Sequence, residues 1–454
     1  MISASLIQKY NVPGPRYTSF PAVPFWSDDT FGLQRWRDEF VQTTTSDPHL
    51  SMYIHLPFCE KLCTFCGCHK RITTRHEVED PYIQYVHREW AMYTDMLDQD
   101  IYLSDMHLGG GTPTFFSPRN LSRLLDGLFE HGRVRRPDSV QYSFEGHPNN
   151  TRPDHLQLLF EKGFRRVSFG VQDYNLKIQN AIIRVQPYEN VKMVTETARS
   201  IGYRSVGHDL IFGLPFQTLE DIRVSMDKTA TLMPDRISFY SYAHVPWVKG
   251  TGQRGFRDED VPKNEAKRDL YEYGKQRLLD MGYHEIGFDH FALPDDDLYR
   301  AAMSGKLHRN FMGYTEIDST LMIGLGISAI SDLWSAYGQN EKKLEDYYRR
   351  IDQNEWPLYR GHFLTDEERV VRRHILNLTC RLRTSWKTDN MLPPDLSMIL
   401  KDLQEMEQDG LVEISHDGII ITEKGRPFIR NVCMAFDFHL RNREPGKKIF
   451  SMTV

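Results

Sequence analysis

The feature that most constrains the fold is a regular alternation of short apolar runs with longer segments of helical period. The predicted strands are residues 51–58, 104–111, 140–145, 165–172, 205–215 and 236–245. The predicted helices are residues 81–99, 117–132, 152–163, 187–202, 218–233 and 263–282. Several of these helices begin after Ser, Thr or Pro and several end at Gly, as helix boundaries do. This alternation predicts βα units and a parallel sheet.

Six βα units predict an α/β fold in the form of an open, partial (β/α)6 barrel, with site residues at the carboxyl ends of the strands. The pattern changes after about residue 345, where helical segments at 365–386 and 393–410 precede a hairpin with Asp417-Gly418 at its turn. We therefore predict three parts: an N-terminal arm (1–48), the barrel with an extension (49–345) and a small helical, winged-helix-like C-terminal domain (346–454).

Charge and hydropathy limit the classes of partner that the chain is expected to bind. A net charge of −6 gives no general attraction to nucleic acid, and the C-terminal domain lacks a basic stripe, so we expect a packing domain and no nucleic-acid partner. The N-terminus lacks a secretory signal, and the longest apolar stretch, LMIGLGISAI, is about half of a membrane span. We expect a cytoplasmic protein without a membrane partner. No heptad or repeat announces an interface, which favours a monomer.

Four of the six cysteines fall within ten residues, CEKLCTFCGC at 59–68. Thiols stay reduced in the cytoplasm, so such a cluster favours metal binding or redox chemistry over disulfides. Cys59, Cys63 and Cys66 directly follow the first predicted strand, and three thiolates of one loop can hold three irons of a 4Fe-4S cluster and leave the fourth open. The alternative is a structural zinc, with His55 and His69 as further ligands.

Polar and glycine residues follow two more predicted strands. Gly109, Gly110 and Gly111 come after the second strand, where glycine lets the backbone approach a ligand closely or makes a tight turn. Glu145 closes the third strand and is either a cofactor ligand or an ordinary salt-bridge partner.

The cysteine loop carries a family resemblance. C-x3-C-x2-C with an aromatic, Phe65, before the third cysteine resembles the radical S-adenosylmethionine (SAM) superfamily. Within it, Cys68 and the motifs PRYTSFP, GGGTPT, GVQD, DLIFGLP, YAHVP, DHFA and HRNFMGYT closely resemble the oxygen-independent coproporphyrinogen III oxidases. The similarity runs from about residue 10 through the C-terminal domain.

The resemblance implies an enzyme of haem biosynthesis. One 4Fe-4S cluster would be ligated by Cys59, Cys63 and Cys66, and an electron from it would cleave SAM to a 5'-deoxyadenosyl radical. That radical would start the oxidative decarboxylation of two propionates of coproporphyrinogen III to vinyl groups, giving protoporphyrinogen IX. The expected electron source is a low-potential flavodoxin- or ferredoxin-like protein.

The resemblance also implies two SAM sites. The SAM on the cluster would be contacted by Tyr53, Gly110, Gly111, Thr112, Glu145 and Ile330. A second SAM would be contacted by Phe65, Gln172, Arg184, Asp209 and Ala243. Because a buried carboxylate is costly unless it is paired, Asp209 is either a ligand contact or the partner of Arg184 in an internal salt bridge.

Some assignments stay open. We predict that Cys68 acts in electron or hydrogen transfer near the cluster, the alternative being a small buried residue. Arg16 and Arg309 are candidate contacts for substrate carboxylates or scaffold bridges, and Met312 stands where the family pattern has Gln. The alternative functions are a related haem chaperone and a haem-opening or methyl-transferring radical SAM enzyme; the position of Cys68 and the PRYTSFP arm argue against the chaperone.

Overall fold

The structure of the chain is a computed structural model, and it describes residues 3–27, 31–130, 133–137, 140, 142–247, 253, 255–388, 391–442 and 449–453. Gly132, the predicted end of one helix, and Gln141, in the third predicted strand, lie outside the described residues. The helices are α1 Ala4–Tyr10, α2 Leu33–Ser46, α3 Glu79–Thr94, α4 Pro118–Glu130, α5 Pro153–Glu161, α6 Leu176–Ala181, α7 Tyr188–Ile201, α8 Leu219–Leu232, α9 Asn264–Asp280, α10 Asp297–Met303, α11 Leu344–Asp352, α12 Asp366–Arg381, α13 Leu396–Gln408, α14 Ile429–Phe436 and α15 Phe438–Arg441. The strands are β1 His49–Leu56, β2 Phe58–Cys59, β3 Arg71–Ile72, β4 Ile101–Gly110, β5 Val134–Arg135, β6 Tyr142–Gly146, β7 Phe164–Gln172, β8 Ser205–Phe212, β9 Arg236–Ser241, β10 His284–Ile286, β11 His290–Ala292, β12 His308–Asn310, β13 Gly313–Thr315, β14 Met322–Leu325, β15 Ile330–Asp332, β16 Ala336–Asn340, β17 Leu358–Phe363, β18 Arg383–Ser385, β19 Val412–Ser415 and β20 Gly418–Ile421.

The predicted partial barrel is confirmed. The six predicted strands are β1, β4, β6, β7, β8 and β9, and they lie side by side in that order with parallel pairing throughout. The six predicted helices are α3, α4, α5, α7, α8 and α9. Their ends follow local chemistry: Thr218 and Asp221 form a reciprocal capping box at the start of α8, and Gly202 ends α7 at a φ of 112°.

The sheet does not close, because other strands occupy both of its edges. β14 pairs in parallel with β1, and β15, β16 and β17 continue from it with antiparallel pairing. At the other edge, β11 and β10 add to β9. Much of the apolar stretch LMIGLGISAI therefore lies in β14 and β15, strands that the periodicity did not predict.

The C-terminal part has the predicted winged-helix-like content. β18, β20 and β19 form a three-stranded sheet between α12, α13 and α14. Ser415 pairs with Gly418, so the hairpin turn is His416-Asp417, one residue earlier than predicted.

The N-terminal arm packs into the C-terminal part. Leu6, Tyr10, Tyr17 and Phe20 share one apolar core with the helices α12, α13 and α14. The Tyr17 hydroxyl donates to Asp437 over 3.0 Å. The arm thus reaches the carboxyl end of β9, where Nη2 of Arg16 donates to the Ser241 carbonyl over 2.9 Å.

Among the described residues, no helix combines the length and the apolar composition that crossing a bilayer requires.

Two elements outside the predicted barrel range, 49–345, pack with the barrel. β17 belongs to the large sheet, and α2 contributes Trp36 and Phe40 to the main core.

Candidate functional site

A cavity with a volume of about 530 Å³ opens at the carboxyl ends of the parallel strands. Twelve of the fifteen residues that the sequence assigned to the site line it: Cys59, Cys63, Phe65, Cys66, Cys68, Gly110, Gly111, Thr112, Glu145, Gln172, Arg184 and Asp209. Tyr53, Ala243 and Ile330 lie outside its wall. Residues from five separate stretches of sequence therefore meet where barrel geometry predicts a site.

The cysteine loop is fixed from both sides. Cys59 ends β2, and its Sγ lies 3.3 Å from the hydroxyl oxygen of Thr112. Further on, the Thr64 backbone N–H donates to the Ile182 carbonyl over 3.0 Å, and its hydroxyl donates to the Ala181 carbonyl over 3.1 Å. These bonds hold the loop between the glycine loop after β4 and the end of α6.

Cys66 and Cys68 interact with each other. A hydrogen bond from the Cys68 thiol and the nearby charge of Lys70 lower the pKa of Cys66 to about 6, in spite of its burial. Lys70 also donates to the carbonyls of Cys66 and Cys68 over 3.0 and 3.3 Å. Cys68 itself is exposed at the cavity.

The three predicted cluster ligands do not converge on one point. In the described part of the chain, no three His, Cys, Asp or Glu side chains are close enough to hold a single metal ion. Each thiolate of a 4Fe-4S cluster binds a different iron, so that such ligands stand apart around the cavity mouth. Three thiols beside an open cavity fit this donor set.

The glycine loop holds Tyr53 and Glu145 together. A Cβ atom on Gly109 would lie 3.0 Å from the Tyr53 ring and 3.2 Å from the Glu145 carboxylate. Gly110 has a φ of 114°, a conformation that other residues rarely adopt. The Tyr53 hydroxyl donates to Nδ1 of His55 over 3.0 Å, while Nε2 of His55 donates to the His69 carbonyl over 2.8 Å. Both ring nitrogens of His55 are therefore used, and one of them holds the Tyr53 hydroxyl in place.

On the opposite wall, Arg184 reaches the cysteine loop. Its Nη2 donates to the Gly170 carbonyl over 2.7 Å, and its Nη1 lies 3.6 Å from Sγ of Cys63. Its Nε is buried and has no hydrogen-bond partner among the described residues. Gln172, at the end of β7, has a φ of 69°, a strained value for a residue with a side chain.

Asp209 does not form the internal salt bridge with Arg184. Its carboxylate instead accepts from the Ser168 hydroxyl over 3.0 Å. Burial and the negative charge of Glu145 raise the pKa of Asp209 to about 6. A carboxylate with a raised pKa beside an open cavity is typical of a ligand-binding position.

Of the predicted residues outside the cavity wall, Ala243 lies close to the cavity and Ile330 lies away from it. Ala243 is tied to Phe65, because Nε2 of Gln253 donates to the carbonyls of both, over 3.0 and 3.3 Å. Ile330, the first residue of β15, packs against the Trp26 and Tyr337 cluster instead.

Sequence reasoning missed several residues of the cavity wall. Tyr240 lines it from the carboxyl end of β9, a position that the barrel rule alone would have flagged. His147 lines it just beyond β6. Gln253, which is not in the wall but joins Phe65 to Ala243, was also missed, because its role comes from two carbonyls distant in the chain.

Residues 53–229 match the radical SAM superfamily. Fold and site thus define a radical SAM protein. The chain is 39% identical to the oxygen-independent coproporphyrinogen III oxidase of Escherichia coli, with 97% of this chain and 96% of that protein covered. It is 36% identical to the Pseudomonas aeruginosa protein of that name, with 96% of each covered. A solved structure of the Escherichia coli coproporphyrinogen III oxidase, described as a radical SAM enzyme, matches with a TM-score of 0.89 at 36% identity, covering 97% of this chain and 99% of that one. The chain belongs to the family of oxygen-independent coproporphyrinogen III oxidases.

Proposed function

We propose that this chain catalyses the oxygen-independent oxidative decarboxylation of coproporphyrinogen III in haem biosynthesis. Two propionate side chains become vinyl groups, two CO2 molecules leave, and protoporphyrinogen IX is formed. The observation that carries the proposal is the near full-length similarity to enzymes of this name, in a chain whose three-cysteine loop opens onto the large cavity.

The cofactors are a 4Fe-4S cluster and SAM. Cys59, Cys63 and Cys66 are proposed as the ligands of the cluster, because they are the thiols of one loop at the mouth of the cavity. When bound and reduced, this cofactor pair supplies the 5'-deoxyadenosyl radical, which no amino-acid side chain can supply. The chain positions the cluster and SAM and shields the radical from water.

We propose that Tyr53, Gly110, Gly111, Thr112, Glu145 and Ile330 contact the SAM on the cluster. The Glu145 side chain is 47% exposed and faces the cavity, and its Oε1 lies 3.5 Å from Nε2 of His107. A carboxylate has several acceptor positions, so Glu145 can also accept from hydroxyl or amino groups of a ligand. The glycine loop offers backbone groups at close range. Ile330 packs against the Trp26 and Tyr337 cluster, away from the cavity, so its proposed contact with SAM comes from the family resemblance alone.

A second SAM site is proposed on the opposite wall, formed by Phe65, Gln172, Arg184, Asp209 and Ala243. Its support is the partnerless Nε of Arg184, the strained Gln172 and the raised pKa of Asp209. A positively charged sulfonium and an amino group suit the Asp209 carboxylate, and a carboxylate suits Arg184.

Cys68 is proposed to act in electron or hydrogen transfer and not as a cluster ligand. It is exposed at the cavity, and its thiol donates a hydrogen bond to Cys66. A fourth thiolate on the cluster would also occupy the iron that SAM needs.

We further propose a low-potential flavodoxin- or ferredoxin-like electron donor. Lys61, Arg71 and Arg75 are exposed on and beside the cysteine loop and suit an acidic partner. A cytoplasmic monomer is proposed because the loop thiols must stay reduced and no repeat predicts an interface. The parts 1–48, 49–345 and 346–454 are kept as the proposed domains.

The experiment is anaerobic. Protein reconstituted with iron and sulfide receives a strong reductant, SAM and coproporphyrinogen III, and mass spectrometry follows 5'-deoxyadenosine, CO2 and the vinyl product. All three are expected together. Cleavage of SAM without decarboxylation would contradict the proposal and direct attention to haem as substrate or cargo.

A further inference from the structure

A group of cationic side chains lies where the arm, the end of the barrel and the C-terminal part meet. It consists of Arg16, Lys267, Arg309 and Arg430, and we call it the cation cluster. Its members are close enough to act on one another: besides burial, the charges of Arg16 and Arg430 lower the pKa of Lys267 to about 7. The charge of Arg309 likewise acts on Arg16 and Arg430.

The acidic groups around this cluster do not balance it. Asp289 is the carboxylate that acts on Arg16, Arg309 and Arg430, and it is already hydrogen-bonded to Nδ1 of His290 over 2.6 Å. Glu285, on a neighbouring wall, is bound to Lys275 over 2.6 Å. Backbone carbonyls satisfy part of the cluster: Arg430 donates to those of Pro15 and Met452 over 3.0 and 2.8 Å, and Lys267 donates to that of Tyr242 over 3.1 Å. These acceptors carry no net negative charge, so the cluster keeps an excess of positive charge that suits an anion.

Arg309 gives the most direct sign of a missing ligand. The residue is 5% exposed, and its Nε and Nη1 have no hydrogen-bond partner among the described residues. Its guanidinium is held in place between the rings of Phe288 and Tyr314, 4.5 and 4.6 Å from their centroids. Buried donors in a native protein are nearly always paired.

The space beside the cluster fits a small anion. A cavity of about 60 Å³ has Arg16, Arg430, Phe288, Asp289 and Glu285 in its wall, and it accommodates a carboxylate and excludes a macrocycle. Arg309 is not in this wall but stacks on the ring of Phe288, which is. Tyr240 lies in the wall of the large cavity, and its hydroxyl oxygen is 3.5 Å from Nε2 of His290. Nδ1 of His290 is bonded to Asp289, which lies in the wall of the small cavity. The cluster therefore lies beside the space in which the substrate is expected.

We propose that the cation cluster binds a propionate carboxylate of the substrate, with Arg16 and Arg309 as its donors. This inference rests on the proposed function and deepens it. Coproporphyrinogen III carries four propionates and two of them react, so the other two are available as permanent anchors. Guanidinium groups are the preferred donors for such carboxylates, because they bind both oxygens at once.

The test measures binding and not turnover. The reconstituted holoenzyme is titrated with coproporphyrin III, the oxidised form of the substrate, and with its tetramethyl ester, and porphyrin fluorescence reports the Kd. Wild type is expected to prefer the acid. Arg16→Gln and Arg309→Gln should each reduce that preference roughly ten- to hundredfold, the range of one hydrogen bond between charged groups. Arg309→Lys, which keeps the charge, should restore part of it.

The matched control is Arg277→Gln, which lies on the same helix as Lys267 but pairs with Asp227 at the surface. It should leave the preference unchanged. If Arg16→Gln and Arg309→Gln both keep the wild-type preference, the proposed anchor is wrong; if Arg309→Gln does not fold, Arg16→Gln alone decides. A wild type that prefers the acid but forms no vinyl product would contradict the proposed function and leave the anchor in place.

Discussion

Gly111 packs directly against Pro57. A Cβ atom on Gly111 would lie 2.5 Å from the carbonyl oxygen of Pro57, a distance at which the backbone must move. The N–H of Gly111 donates to the neighbouring Leu56 carbonyl over 2.8 Å. The glycine loop and the start of the cysteine loop thus touch backbone to backbone.

This contact predicts that Gly111→Ala separates the two loops. The variant should still fold, because the contact lies at the rim of the sheet, but its Kd for SAM should rise at least tenfold. Equilibrium dialysis with reconstituted protein measures this. Gly67→Ala is the control, since nothing lies within 4 Å of its Cβ position. Equal losses in both variants would contradict the close-packing explanation.

The cysteines are expected to divide into two groups. Changing Cys59, Cys63 or Cys66 to Ser should abolish the cluster or make it labile, as measured by bound iron and sulfide after anaerobic reconstitution. Cys68→Ser should keep most of the iron while activity falls at least tenfold. Cys380→Ser, which lies outside the cavity wall, should keep its iron and sulfide. Loss of iron from Cys68→Ser would refute the separate role of Cys68.

The second SAM site predicts a stoichiometry. Reconstituted wild type should bind two SAM molecules per chain in calorimetric titration, and Arg184→Gln should bind one. The reason is that Arg184 lies in the cavity wall, held by the Gly170 carbonyl, and its buried Nε has no hydrogen-bond partner among the described residues. If the wild-type chain binds only one SAM molecule, the proposed second SAM site on this wall is wrong.

Glu89 predicts a pH dependence of stability. It lies on α3, is fully buried, and accepts from the Gly326 N–H over 2.8 Å and from the Tyr347 hydroxyl over 2.6 Å. Burial raises its pKa from 4.5 to about 7. The folded chain therefore holds this proton more tightly than the unfolded chain. The contribution of Glu89 to the free energy of unfolding should fall by up to about 3 kcal/mol as the pH rises from 4.5 to 7, and this contribution should change no further above that.

Glu89→Gln isolates this contribution, because the amide does not titrate. Urea unfolding at several pH values should show wild type gaining stability relative to the variant as the pH falls through this window. A constant difference between the two proteins across the window would mean that Glu89 stays ionised in the folded chain.

The barrel was predictable because its signals are local. The run of buried residues in Phe164–Gln172 and the helix Tyr188–Ile201 carry their periodicity and end signals within a few residues. The rule that sites gather at the carboxyl ends of strands places the cysteine, glycine and Glu145 residues at one end of the barrel, whereas their roles were implied by the family resemblance.

The extension was not predictable in the same way. Met322–Leu325 is a strand because it pairs with Ser51–Ile54, far away in the chain, and nothing in its own four residues distinguishes it from a buried turn. The same holds for Gln253, which joins Phe65 to Ala243. Such residues take their roles from long-range contacts that periodicity does not contain.

The arm described above has a consequence for biogenesis. Tyr17 and Phe20 are buried against helices that the ribosome makes last. A growing chain can complete its parallel strands while its first twenty or so residues still have no surface to pack on. The arm therefore docks only after these last helices are made, so the β-strands and the cysteine loop can fold before the two ends of the chain come together.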